Sequence, residues 1–211
     1  RKKFNRFSEY LFSFVIKLFF NIQDPLSGLK VYSAKILNKI ELLNGKRKIS
    51  IEPNEASLEV EFQLDYKNKI IGKQKNVINF QKDDLNDVSN SRTFCLYEDI
   101  EKIKKIGLAK GGSLDNAVVV DNEKVLNEGG LRNEKEFVNH KILDLAGDFL
   151  LSGHRVLGKV ACFQGGHELT NMFLRKIFKS QNSFVIIENK KVNIAEKTVN
   201  SFKLEKIAVN A

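Results

Sequence analysis

From Ser57 to Tyr66 the chain reads SLEVEFQLDY, where Leu58, Val60, Phe62, Leu64 and Tyr66 alternate with Glu59, Glu61, Gln63 and Asp65. Successive strand side chains point to opposite faces, so this period of two predicts a strand with one buried and one wet face. Such a strand needs a sheet whose apolar face is covered by another layer. Two segments with helical spacing, 134–152 and 168–178, can supply the cover. Further strands are predicted at 76–80, at 117–120 with a return strand after the polar turn 121–124, at 158–163, and near 183–188 and 192–195. LYEDIEKIKKIG predicts a short amphipathic helix ending at Gly107. Strands and helices do not alternate strictly. The expected class is α+β, a sheet packed against helices in a two-layer sandwich.

Composition narrows the function classes. Of 211 residues, 42% are apolar and 29% charged, an ordinary globular balance that excludes a disordered chain. The net charge of +9 raises nucleic acid as a partner. The lysines are nevertheless scattered (KRK, EKIKK, LRK, NKK), with no arginine-rich helix or aromatic-interleaved basic motif, so no nucleic-acid partner is expected. A positive bias suits an anionic ligand such as a phosphorylated sugar. Cys95 and Cys162 form neither a disulfide framework nor a CxxC pair, which implies a reducing, cytoplasmic setting. The apolar run YLFSFVIKLFF, 10–20, is short and interrupted by Ser13 and Lys17, so no stable membrane insertion is expected. Gly111 and Gly112 lack a GxGxxG or GK[ST] context and read as a tight turn.

The stretch EFVNHKILDLAGDFLLSGH, 136–154, carries the chemistry-bearing residues. On a helix, His140, Asp144 and Asp148 share a narrow front with Lys141, opposite Val138, Ile142, Leu145, Ala146, Phe149 and Leu150. One reading is a solvated face with an i,i+4 His–Asp pair worth a few tenths of a kcal/mol. The other is a ligand pair, since His and Asp four apart can reach a single ion. Two protein ligands do not complete a catalytic zinc site, which uses three and an open position. His167, after the glycines of CFQGGHELTN, opens the next helix. It is either an ordinary first-turn residue or a general acid whose charge Asp148 supports. His154 lies just past the helix end and receives no chemistry.

Taken together, SRTF (91–94), GGSLDNAVVVDNEKVLNEGGLRNEKEFVNHKILDLAGD and GGHELTN resemble the C-terminal domain of the UDP-3-O-acyl-N-acetylglucosamine deacetylase family, over residues 42–188. The family is a zinc hydrolase of lipid A synthesis in Gram-negative bacteria. The resemblance implies Zn2+ as cofactor, a UDP-linked acylated glucosamine as substrate, and a zinc-activated water that attacks the N-acetyl carbonyl. By motif, His140 and Asp144 resemble zinc ligands. His167 resembles the protonated histidine that steadies the oxyanion and gives a proton to the leaving amine, with Asp148 as its partner. Thr93 would donate to the oxyanion. Lys141 would face the diphosphate. Residues 93–120 would form an inserted β-α-β unit walling a passage for the acyl chain, with Phe94, Leu96, Ile100, Ile103, Ala109 and Leu114 available to line it.

Two departures qualify the resemblance. In the family an N-terminal domain supplies a third zinc ligand, a His, and a general-base Glu. Residues 1–92 contain no His. A position that is usually basic in the family is Gln164 here, which removes one phosphate contact. Residues 1–40, read as a basic Phe-rich helix, the turn DPLSG, and a short strand leading into a helix, resemble the end of a family 2 glycosyltransferase of the polyprenyl-phosphate sugar synthase type. The expected organisation is therefore a helical stub (1–40), the deacetylase-like domain (42–188) and a tail (189–211) with a last strand. A start at Arg1 rather than Met leads us to expect a longer protein. Such a chain is expected to be inactive alone, with the missing N-terminal domain as a partner. The alternatives are a non-catalytic fragment that binds the acyl-sugar nucleotide, and a fusion of two unrelated reading frames.

Overall fold

A computed structural model describes residues 31–189, apart from 55, 108 and 181. The helix read over 10–20 and the strand read near 192–195 lie outside the described residues. Residues 33–187 belong to one compact unit. Its strands are β1 (Val31–Ile36), β2 (Ile40–Asn44), β3 (Arg47–Glu52), β4 (Leu58–Asp65), β5 (Lys73–Asn79), β6 (Thr93–Leu96), β7 (Ala117–Asp121), β8 (Lys124–Val125), β9 (Arg155–Phe163) and β10 (Phe184–Asn189). Its helices are α1 (Asn86–Ser89), α2 (Ile100–Lys105), α3 (Glu136–Leu150) and α4 (His167–Lys179).

Seven strands form the main sheet and β6-β7-β8 a smaller one. Strand β9 is the axis of the main sheet. Its Val160 pairs in parallel with Val60 of β4 and antiparallel with Ile51 of β3, so β4 and β3 flank it. The alternation read at 57–66 is the pattern of β4: Val60, Phe62 and Leu64 are buried while Glu59, Glu61 and Gln63 are only half-covered. The buried row joins one continuous core with Phe137, Ile142, Leu145 and Phe149 of α3 and Leu169, Phe173 and Ile177 of α4. Each such side chain contributes about 1.5–3 kcal/mol on burial.

The wet face is an ion-paired ladder. Glu59 meets Lys159 at 3.1 Å, Glu61 meets Lys75 at 2.9 Å, and Glu41 meets Lys48 at 2.7 Å. Cross-strand pairs of opposite charge contribute roughly 0.2–1 kcal/mol each. This is where many of the scattered lysines go.

Two readings are corrected. The segment ending at residue 40 does not lead into a helix; Ile40–Asn44 is a strand. Gly45, at φ +59, lets the chain reverse in a two-residue loop, so Ile40 pairs with Ile51 and Leu42 with Ile49. That hairpin buries Ile40, Ile49 and Ile51, which a helix over the same residues would have splayed around its circumference. Leu150 is likewise not part of the apolar back of α3. It is 67% exposed, because the helix ends there in the turn that Gly153, at φ +73, completes.

The β-α-β insertion is present. Strands β6 and β7 are parallel, with Thr93 opposite Ala117 and Val119 opposite Cys95, and the 3-10 turn Tyr97–Asp99 and α2 cross between them. It is anchored at several points. Phe94 stacks edge-on against Phe137 at 5.0 Å and Tyr66 at 5.8 Å. Asn127 is buried; its amide donates to the carbonyls of Leu114 and Ala117, and its oxygen accepts the Val119 N–H. Asn68, in the β4–β5 turn, donates to the Asn122 carbonyl.

Candidate active site

The front of α3 is polar but covered. The side chains of His140, Lys141, Asp144 and Asp148 are 15%, 20%, 17% and 14% exposed. A solvated face would leave them in water, so that reading does not hold. Three elements meet there: α3 itself, the segment Ser91–Phe94 that opens the insertion, and the first residue of α4.

His140 is oriented by the chain. Its Nδ1 lies 3.1 Å from the Ser91 carbonyl, which can only accept, so Nδ1 carries a proton and donates it. Its Nε2 then faces Asp144 Oδ1 at 3.2 Å. An unprotonated Nε2 and a carboxylate are both electron-pair donors, and they are stable side by side only with a cation or a proton between them. This is the donor pair that a divalent zinc accepts, with the second ring nitrogen fixed by a backbone carbonyl. The residues present therefore fit the metal that the resemblance implies, as part of a set. Among the described residues no group of three or more His, Cys, Asp or Glu side chains is placed to hold a metal ion by itself.

Asp144 is also held by Lys141, whose Nζ donates to Oδ2 at 2.8 Å. Burial raises the Asp144 pKa, but hydrogen bonds and charge from His140 and Lys141 outweigh it and carry the group down to about 2. The group is a carboxylate at any working pH. Lys141 also lies 5.9 Å from the centre of the Phe94 ring.

His167 stands at the start of α4. Its Nδ1 donates to Asp148, 2.9 Å from both carboxylate oxygens, and its Nε2 is 4.0 Å from Asp144 Oδ2. The imidazole is 69% exposed, so Nε2 can hand a proton outward while Asp148 stabilises the charge on the ring. The chain reaches this point by a turn with Gln164 at φ +52, followed by Gly165 and an extended Gly166. At Gly165 the backbone passes so close to the core that a Cβ would overlap Cys162 Sγ and sit 3.3 Å from Phe62 Cζ. We expect Gly165→Ala to cost about 1–3 kcal/mol. Adding Cys162→Ala, which removes the overlapping sulfur, should return part of that loss; the midpoints of urea unfolding for both variants measure it.

A cavity of about 600 Å³ lies in the insertion, lined by Thr93, Phe94, Cys95, Ile100, Ile103, Ala109 and Leu114 among others. Leu96 is not among its lining residues; it packs on the main core. Thr93 and Phe94 thus belong both to the cavity wall and to the segment whose Ser91 holds His140. The structure groups His140, Lys141, Asp144, Asp148 and His167 on one side, and Thr93, Phe94, Ile100 and Ala109 on the other.

Two residues at the join escaped sequence reading. Arg92 and Glu136 form a buried pair, with Nε 2.8 Å from Oε1 and Nη2 3.2 Å from Oε2. The backbone N–H groups of Arg92 and Arg132 also donate to that carboxylate, at 3.0 and 2.7 Å. Arg92 sat in plain view in SRTF; nothing in the spacing pointed across 44 positions to its partner.

The chain also matches known proteins in sequence. The family model of UDP-3-O-acyl N-acetylglycosamine deacetylase (LpxC) matches residues 25–179. A Helicobacter pylori (strain J99) protein named UDP-3-O-acyl-N-acetylglucosamine deacetylase is 36% identical over 173 residues, covering 82% of this chain and 56% of that protein. One of the same name from Nitratiruptor sp. is 37% identical over 168 residues, covering 79% and 55%. The chain spans about half the length of the curated relatives it matches. With most of its length matched, the chain belongs to the UDP-3-O-acyl-N-acetylglucosamine deacetylase family.

Proposed function

We propose that this chain carries the C-terminal part of a zinc-dependent site that removes the N-acetyl group of a UDP-linked, 3-O-acylated glucosamine in cytoplasmic lipid A synthesis. The observation that supports it most is the opposition of His140 Nε2 and Asp144 across 3.2 Å, with the His167–Asp148 pair one helical turn away. Zinc, when bound, supplies Lewis acidity toward the amide carbonyl. His140 and Asp144 would hold it. Lys141 would meet the diphosphate, while its bond to Asp144 keeps that carboxylate ionised. Thr93 would donate a hydrogen bond to the oxygen on which charge develops. His167 would protonate the departing amine from Nε2, with the ring cation stabilised by Asp148. The acyl chain would lie along Phe94, Ile100 and Ala109.

The third metal ligand and the general base would come from an N-terminal half. The test is acetate release from the UDP-acyl-sugar by this chain alone and by this chain with the N-terminal half of the Nitratiruptor relative. No turnover is expected alone, and zinc-dependent, chelator-sensitive turnover together. Turnover with stoichiometric zinc by the chain alone would overturn the partial-site reading. Silence of the reconstituted pair with zinc bound would overturn the deacetylase reading. The cavity favours a second reading, a non-catalytic acyl-sugar-nucleotide binder, which binding of the substrate without zinc dependence would support.

A further inference from the structure

We infer that the buried Arg92–Glu136 pair is a positioning device for the active site, and that its job is to hold Ser91 and Thr93 in register with α3. This rests on the reading of His140 as a metal ligand and Thr93 as an oxyanion donor. Glu136 is the first residue of α3, one turn before His140. Its carboxylate accepts four donors: the Arg92 side chain twice, the Arg92 backbone N–H and the Arg132 backbone N–H. Arg92 spends a further N–H on the Gly130 carbonyl at 2.8 Å. The fork geometry of the guanidinium makes this bond directional, and the backbone bond fixes the peptide as well as the side chain.

The pair holds the two residues on either side of Arg92. The residue before Arg92 is Ser91, whose carbonyl accepts the His140 Nδ1–H and so decides which ring nitrogen faces Asp144. The residue after it is Thr93, the first residue of β6 and part of the cavity wall. One carboxylate therefore sets a metal ligand through one neighbour and an oxyanion donor through the other. A buried ion pair kept for stability alone could be exchanged for apolar side chains without loss, since desolvation cancels most of its attraction. A pair kept for register could not, because apolar side chains impose no direction on the Ser91 peptide.

The experiment uses the double variant Arg92→Met with Glu136→Met. It is expected to unfold as cooperatively as the wild type. The chain has three histidines, so the ring resonances can be assigned by substitution in turn. In the wild type the Nδ1 proton of His140 should exchange slowly with water. In the double variant its exchange should quicken at least tenfold, and zinc affinity should fall about 10–100-fold, the usual effect of losing an outer-shell partner. A folded double variant whose Nδ1 proton is as protected as in the wild type overturns the proposal. If the double variant does not unfold cooperatively, Arg92→Lys is read in the same way, since lysine keeps the charge and loses the fork. Zinc binding unaffected by His140→Ala would overturn the metal reading instead, while the ring proton still decides the positioning role.

Discussion

Glu136→Ala is expected to lower the stability of the compact unit by about 3–5 kcal/mol, a fall in Tm on the order of 10 °C for a domain of this size. The side chain is fully buried, and its removal strands the Arg92 guanidinium inside the protein with only the Gly130 carbonyl left. Two backbone N–H groups lose their acceptor as well. The loss depends on pH in a defined direction. Burial raises the Glu136 pKa, but the hydrogen bonds from Arg92 and Arg132 and the Arg92 charge prevail and hold it below the ordinary 4.5. A carboxylate whose pKa is depressed by folding stabilises the fold above its unfolded value and stops doing so as pH falls through the folded value. Wild-type stability should therefore decline as the solution is acidified below about pH 4.5, and Glu136→Ala should flatten that part of the curve. Thermal unfolding between pH 3 and pH 7 measures both effects; parallel curves for the two proteins would refute the assignment.

Asp144→Ala should abolish measurable zinc binding by the site, a weakening beyond the roughly 10–100-fold that outer-shell changes produce. Two ligands make a weak chelate, and losing one leaves His140 alone. The variant also frees Lys141, whose ammonium then has no carboxylate at 2.8 Å and repels a cation. Asp148→Ala separates the roles. It removes the acceptor of the His167 Nδ1–H and leaves the His140–Asp144 pair intact, so zinc affinity should hold. Titration calorimetry on the two variants distinguishes the assignments, and equal losses of zinc would contradict them.

The parts of the fold that could be read in advance are those whose signal is local. The period of two at 57–66 named β4 and its buried face, and the 3.6 period at 134–152 placed α3 to within two residues of each end. The β2–β3 hairpin was missed because its buried Ile49 and Ile51 sit in a short run between the basic KRK and Glu52-Pro53, and Ile40–Asn44 carries no clean alternation. The site divides in the same way. The i,i+4 geometry of His140, Asp144 and Asp148 was visible in spacing, as was the glycine turn before His167. That the helix front is covered was not, since the cover comes from residues about 50 positions upstream and about 20 downstream. The same distance in sequence hid the Arg92–Glu136 pair.

The two sheets carry different parts of the site. Residues 159–163 of β9 are hydrogen-bonded to strands along both edges, and that strand runs straight into the turn that presents His167. His167 therefore follows, after one short turn, a strand that is paired along both edges. Thr93 stands on the first residue of a three-stranded sheet that packs on the main core through Val118, Val120 and Phe94. Under the proposed roles, an occupant of the insertion's cavity bears directly on the oxyanion side at Thr93 and reaches the proton-donating side only through the core that the two sheets share.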